Sequence, residues 1–185
     1  MQPEDHVEGG FQPERDAFVF RSEDLRKKCS FAHDDDDGVL VPSRVKAMLE
    51  RAQLRGVQFR SIVVENDSDS SPECSGEHVD AWWRLASDIT LPPYSPSMKV
   101  LDRHGRRVPR GTEGYVEIWE PPYRGVELHY LRSEIVSKEF DIAQTLEWSA
   151  PSPLLRGLVV SKKFYEICRA HRLKCGFVPV RIEPG

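Results

Sequence analysis

The stretch from Gly157 to Ile182 constrains this chain more than any other. Leu158, Val159 and Val160 form a short apolar run rich in β-branched residues, which suits a buried strand. Ser161 follows and is placed to cap a helix by accepting a backbone N–H. Phe164, Ile167, Cys168 and His171 then fall at i, i+3, i+4 and i+7, one face of a helix. Gly176 allows the chain to turn, and Phe177, Val178, Val180 and Ile182 read as a closing strand. The spacing predicts a strand, a helix and a strand.

The same pattern occurs earlier, from Gly38 to Val64. Val39, Leu40 and Val41 supply the strand, Ser43 the cap, and Val45, Met48, Leu49 and Ala52 the apolar helix face. Val57 to Val64 reads as the second strand. Ser43 to Phe59 has the same spacing as Ser161 to Phe177. Duplication and chance recurrence both produce such a pair, and two separated copies do not make a solenoid. The expected fold class is α+β: a mixed or mostly antiparallel sheet on which the two strand-helix-strand units pack their helices.

The closing stretch, Gly157-Leu-Val-Val-Ser-Lys-Lys-Phe through Cys175-Gly-Phe-Val-Pro-Val, resembles the C-terminal signature of bacterial immunity proteins of polymorphic toxin systems. It is most similar to the double-CXXCG immunity family of myxobacteria and to immunity protein family eleven. The resemblance covers about half the chain. It implies a binding protein that occludes the active site of a cognate toxin in the cytoplasm of the producing bacterium. It implies one immunity-type domain over 1–185, with similar units at 38–65 and 157–183 and a hairpin-rich middle at 97–131. The two Cys-x-x-Cys-Gly knuckles that name the family are missing here, which removes the zinc expectation.

Composition narrows the partners. The net charge is −4, a poor match to the basic footprint of a nucleic-acid binder and a better one to a basic protein. No apolar run approaches the roughly 20 residues needed to span a bilayer. The first residues, Met1-Gln-Pro-Glu-Asp-His, carry acid and lead into no apolar core, so the expected compartment is the cytoplasm. The cysteines Cys29, Cys74, Cys168 and Cys175 are too sparse for a disulfide framework.

Acid is concentrated in two loops, Asp34, Asp35, Asp36 and Asp37, then Asp67, Asp69, Glu73 and Glu77. They bracket the first strand-helix-strand unit and are the candidate toxin-binding residues; the competing reading is two solvated loops. A calcium loop with Gly38 as its sixth residue would begin on His33 and end on Arg44, and neither fits the required carboxylates. In the middle, Asp102-Arg-His-Gly105 reads as a hairpin turn, with arginines 103, 106, 107 and 110 along a solvated edge. Tyr115 to Trp119 and Val126 to Tyr130 alternate in the strand manner, as an antiparallel hairpin or two neighbouring strands. Trp82 and Trp83 read as core residues.

Signatures of catalysis are missing. The sequence has no Gly-rich phosphate loop, no Gly-x-Ser-x-Gly elbow and no His-Glu-x-x-His. No cofactor, metal ligand or catalytic residue is expected, and the chain is read as a non-enzyme. The alternatives are an enzyme using Cys74 with His78, or a carboxylate pair such as Glu117 and Glu127, and a regulatory interaction module without a toxin. Without knuckles, the purified protein is expected to contain no stoichiometric zinc; elemental analysis finding about one zinc per chain would overturn this.

Overall fold

The computed structural model describes residues 9–12, 17–21, 25, 31–33, 38–65, 81–102, 104–112, 117–118, 128–147 and 156–185. The chain is α+β with mixed sheets and falls into two compact units. Unit 1 comprises Met1–Gln53, Gln58–Ala86 and Cys168–Cys175; unit 2 comprises Leu54–Val57, Ser87–Ile167 and Gly176–Gly185.

Unit 1 contains β1 (Gly9–Gln12), β2 (Ala17–Arg21), β3 (Ala32–His33), β4 (Val39–Pro42), α1 (Ser43–Arg51), β5 (Gln58–Ser61), β6 (Val63–Glu65) and β7 (Trp82–Ala86). One sheet has the order β1-β2-β6, the other β3-β4-β7-β5. β4 and β5 both run antiparallel to β7, so they are parallel to each other with β7 between them. The first strand-helix-strand unit is therefore split by a strand that begins 21 residues after β5 ends, which local periodicity does not reveal. The expected second strand divides in two, since β5 joins one sheet and β6 the other.

Helix α1 lies on β4 and β7, with Val45 and Leu49 buried. Ser43 does not cap it. Pro42 occupies the cap position, and the Ser43 hydroxyl instead donates to the Ala81 carbonyl at 2.8 Å and accepts the Trp83 indole N–H at 3.2 Å. Capping yields here to a bond that fastens the helix start to the strand entry. Lys46 lies over the rings of Trp83 (4.7 Å) and Phe59 (5.3 Å) and pairs with Glu50 at 2.5 Å. Trp82 is buried and Trp83 half-buried. The guanidinium of buried Arg84 sits 4.2 Å from the Phe18 ring, joining β7 of one sheet to β2 of the other.

Unit 2 contains β8 (Val100–Leu101), β9 (Glu117–Ile118), β10 (His129–Leu131), α2 (Arg132–Ile135), β11 (Ile142–Gln144), β12 (Leu158–Val160) and β13 (Arg181–Glu183), with the first six residues of α3 (Lys162–Ala170). Its core gathers Leu91, Tyr94, Met98, Tyr130, Ile135, Ala143 and Val159. The hairpin turn at 102–105 forms as expected. Gly105 takes φ +73°, Leu101 bridges Arg107, and the Asp102 carboxylate accepts the N–H groups of His104 (2.8 Å) and Arg106 (3.0 Å). Those bonds, that to the Arg106 backbone foremost, hold Asp102 down at about 2.

Several pairings differ from expectation. β9 pairs with β8, and β10 runs parallel to β13, so 115–119 and 126–130 do not form a hairpin among the described residues. The closing strand is short, only Arg181–Glu183, while 177–180 is irregular. Pro179 has no N–H to give a ladder. β12 pairs antiparallel with β11, so the strands flanking α3 belong to different ladders.

Ser161 does cap α3, accepting the Phe164 N–H at 3.1 Å, and its hydroxyl also donates to Asp141 at 2.8 Å. Asp141 further accepts the Arg55 N–H at 3.0 Å and pairs with Lys163 at 3.5 Å. The Arg55 carbonyl in turn receives the N–H groups of Asp141 and Ile142. The tight turn through Gly56 (φ +82°) permits this approach, because a Cβ there would run into the Ile142 carbonyl. Burial pushes the Asp141 carboxyl up, but the Arg55 N–H, Ser161 and Lys163 together outweigh it and hold it below the usual range.

On α3, Phe164 and Cys168 are buried, but Ile167 is half-buried and His171 exposed, so the apolar face is narrower than its periodicity implies. Leu49→Ala is expected to cost about 2–5 kcal/mol in a denaturant melt, the range for a buried leucine. Ile167→Ala is expected to cost clearly less, since the half-buried side chain has less area to lose. Equal losses at the two positions would reject this placement of α3.

Candidate functional site

A concavity among the described residues lies in unit 2 and has a volume of about 390 Å³. That volume falls in the small-ligand range. One wall is the segment 94–98, which Pro92, Pro93 and Pro96 keep out of any ladder. It is fixed instead by single bonds: the Leu91 N–H to the Gln144 carbonyl (2.9 Å) and the Ser95 N–H to the His129 carbonyl (2.7 Å). The facing wall is the returning hairpin arm, Arg107 to Arg110, with Thr112, turned by Gly111 at φ +81°. Met98, Val100, Val108, Pro96 and Pro109 make much of the lining apolar.

Glu147 is the charged group that lines this space while itself being buried, at 4% exposure. It follows β11 in a turn where the Thr145 hydroxyl donates to the Glu147 carbonyl. Its Oε1 accepts the Tyr94 N–H at 3.2 Å. Its Oε2 is buried with no hydrogen-bond partner among the described residues. The Tyr130 hydroxyl, on a ring 5.6 Å from Tyr94, is likewise buried and unsatisfied. Burial raises the Glu147 carboxyl above its usual range against the opposing pull of its own and the Tyr94 backbone N–H groups and of Arg110. Burial first, and then the Glu147 charge, push the Tyr94 phenol up as well.

Arg110 braces the rim. Its Nε donates to the Tyr94 carbonyl at 2.9 Å, and its Nη2 forms an ion pair with Glu134. The Glu134 carboxylate thereby meets the charge of this arginine. Oε1 of Glu147 is thus satisfied by the Tyr94 N–H, while Oε2 is sealed from solvent without a partner among the described residues.

A second polar group adjoins through Ser95. Glu183 on β13 accepts the hydroxyls of Ser95 and Ser97 (the latter at 2.8 Å) and meets His129 Nδ1 at 3.0 Å. Ser97 also meets Nδ1, at 3.3 Å. A nucleophile–base–acid relay needs the hydroxyl and the carboxylate on opposite ring nitrogens. Here both address the same nitrogen, so the cluster acts as a clasp on the C-terminal strand. The two serines and His129 hold the Glu183 carboxyl below its usual range, the Ser95 hydroxyl foremost.

The expected toxin-binding residues Asp34, Asp35, Asp36, Asp37, Asp67, Asp69, Glu73 and Glu77 lie outside the described residues, as do Cys74, His78 and Glu127. Glu117 is in β9 and pairs with Leu101 through the backbone. Among the described residues no group of three or more His, Cys, Asp and Glu is placed to hold a metal ion. No helix among them is long and apolar enough to cross a membrane. Sequence reasoning did not single out Glu147. The available signal was its position between Leu146 and Trp148, an acid flanked by large apolar side chains. Compared with known protein families, curated proteins and solved structures, the chain has no match.

The raised Glu147 carboxyl makes a prediction with a definite sign. The folded state holds this proton more tightly than the unfolded state, so the stabilising contribution is present below the ordinary carboxylate pKa and is lost as pH rises through the folded one. Glu147→Gln removes that loss. Its unfolding midpoint, relative to the parent chain, is expected to rise as pH is raised above the ordinary carboxylate range. A difference independent of pH would show that Glu147 titrates as an ordinary surface acid.

Proposed function

We propose that the protein is a binding protein of the immunity type, which seats on a cognate toxin and occludes the toxin's active site in the cytoplasm of the producing cell. The observation that carries this reading is an exposed apolar face on the very stretch that resembles the immunity families. Tyr165 (37% exposed), Phe177 (36%) and Val178 (62%) stand at the surface of unit 2. The rings of Tyr165 and Phe177 meet edge to face at 5.2 Å, so the face is contiguous and pre-ordered. Aromatic side chains held this way are the usual anchors of an interface, since they bury much area for little lost freedom.

The acidic stretches of sequence, Asp34 to Asp37 and Asp67 to Glu77, supply the complementary electrostatics in this reading. Toxins that act on nucleic acids or nucleotides are basic around their sites, because their substrates are anionic. An acidic partner gains association rate and register from that field. In this reading the chain carries out no reaction of its own and needs no cofactor.

The test is co-purification with the product of the adjacent toxin gene, followed by association kinetics. Phe177→Ser with Val178→Ser is expected to raise the dissociation rate about tenfold or more, as loss of a desolvated anchor does. Replacing Asp34, Asp35, Asp36 and Asp37 with serine is expected to slow association and flatten its salt dependence, with little change in stability. An unchanged dissociation rate would remove the apolar face from the interface. Failure to form any complex would sink the immunity reading itself.

A further inference from the structure

The end of α3 folds the chain back on itself. The Arg172 N–H donates to the Arg169 carbonyl at 3.0 Å and the Leu173 N–H to the Cys168 carbonyl at 2.9 Å, with Arg172 at φ +54°. Such a pair of bonds around a left-handed residue turns a helix exit back over its own last turn. The reversal returns Cys175 to Cys168 within the same compact unit, and the two thiols share a hydrogen bond. We propose that Cys168 and Cys175 form a redox-active dithiol, which hydrogen peroxide closes to a disulfide and a small thiol reopens. This capacity is independent of toxin binding.

The two sulfurs are unlike. Cys168 is fully buried, at 0% exposure, whereas Cys175 is half-buried, with its Sγ 3.7 Å from the Leu173 carbonyl. The hydrogen bond from Cys168 holds the Cys175 thiol below its usual range, and the same bond, then burial, pushes the Cys168 thiol up. The residues between them include Arg169, His171, Arg172 and Lys174 and no acid, a setting that favours thiolate over thiol. Cys175 is therefore the attacking sulfur and Cys168 the resolving one. The Cys175 thiolate attacks one peroxide oxygen. The S–O bond forms as the O–O bond breaks, and the departing hydroxide takes up the proton that Cys175 released and leaves as water. The Cys168 sulfur then attacks the sulfur of the Cys175 sulfenic acid. The S–S bond forms, the S–O bond breaks, and the second hydroxide leaves as water with the Cys168 proton. Two electrons pass from the dithiol to the peroxide, and two molecules of a small thiol return them through a mixed disulfide.

The test treats the reduced full chain with hydrogen peroxide, alkylates the remaining thiols and follows trypsin digestion by mass spectrometry. The peptides Phe164–Arg169 and Cys175–Arg181 are expected to appear linked, two hydrogens lighter than their sum, and to separate after dithiothreitol. Cys168→Ser is expected to abolish the link and to leave a sulfenic acid on Cys175 that dimedone traps. Cys175→Ser is expected to leave Cys168 a free thiol that alkylates only after unfolding. The parent chain alone can overturn the proposal, whether or not the buried Cys168→Ser variant folds. Both thiols still free after peroxide treatment would do so, as would Cys175 linked instead to Cys29 or Cys74. A link formed as fast in urea as in the folded chain would also overturn it, because the fold would then contribute nothing to the pairing.

Discussion

The Asp141 carboxylate holds together three pieces of unit 2 that are far apart in sequence. It takes the backbone N–H of Arg55 in the turn at 54–57, the hydroxyl of Ser161 at the start of α3, and the ammonium of Lys163 two residues further on. Each hydrogen bond to a charged group is worth about 1.5–3 kcal/mol. Burial of the acid works against them, and the direction of its shift shows which side prevails: the carboxyl ends below its ordinary range. The same residue anchors the backbone, since its N–H and that of Ile142 both donate to the Arg55 carbonyl, at 3.0 and 3.1 Å. The arrangement requires Gly56. Its positive φ turns the chain, and the space where a Cβ would lie is filled by the Ile142 carbonyl and, at 3.0 Å, the Ser87 hydroxyl.

Glu147, a few residues on, is the converse case. Asp141 is surrounded by donors on both oxygens, while Glu147 has one for Oε1 and none for Oε2 among the described residues. Both acids are buried, yet one is pulled down and the other pushed up. The difference lies in the donors that each carboxyl meets and in how deeply each sits. A fully satisfied acid is a structural joint. A half-satisfied buried acid carries a desolvation cost that its partners do not offset.

The two strand-helix-strand patterns illustrate how far local periodicity reaches. It located both helices, and the burial of Val45, Leu49, Phe164 and Cys168 follows the expected spacing. It did not locate partners. β7 enters between β4 and β5, and the strands around α3 join different ladders. Equal Ser-to-Phe spacing therefore hides two unlike environments, for Ser161 caps its helix whereas Ser43 ties its helix to the Ala81 carbonyl. A side-chain oxygen bonds the donor or acceptor nearest in space, and for Ser43 that group lies 38 residues away.

The sequence by itself determined the features that depend on neighbours within one turn of chain. These are the α+β character, the helix starts near residues 43 and 162, and the Asp102–Gly105 turn, where a short acid and a glycine meet local backbone demands. Only the tertiary structure decided strand order, the parallel pairing of β10 with β13, and the cavity. The physical reason is that these depend on segments brought together across the chain. Glu147 reads as an ordinary acid until the Tyr94 wall and the hairpin arm fold over it. Burial then gives one carboxyl oxygen a partner and leaves the other without.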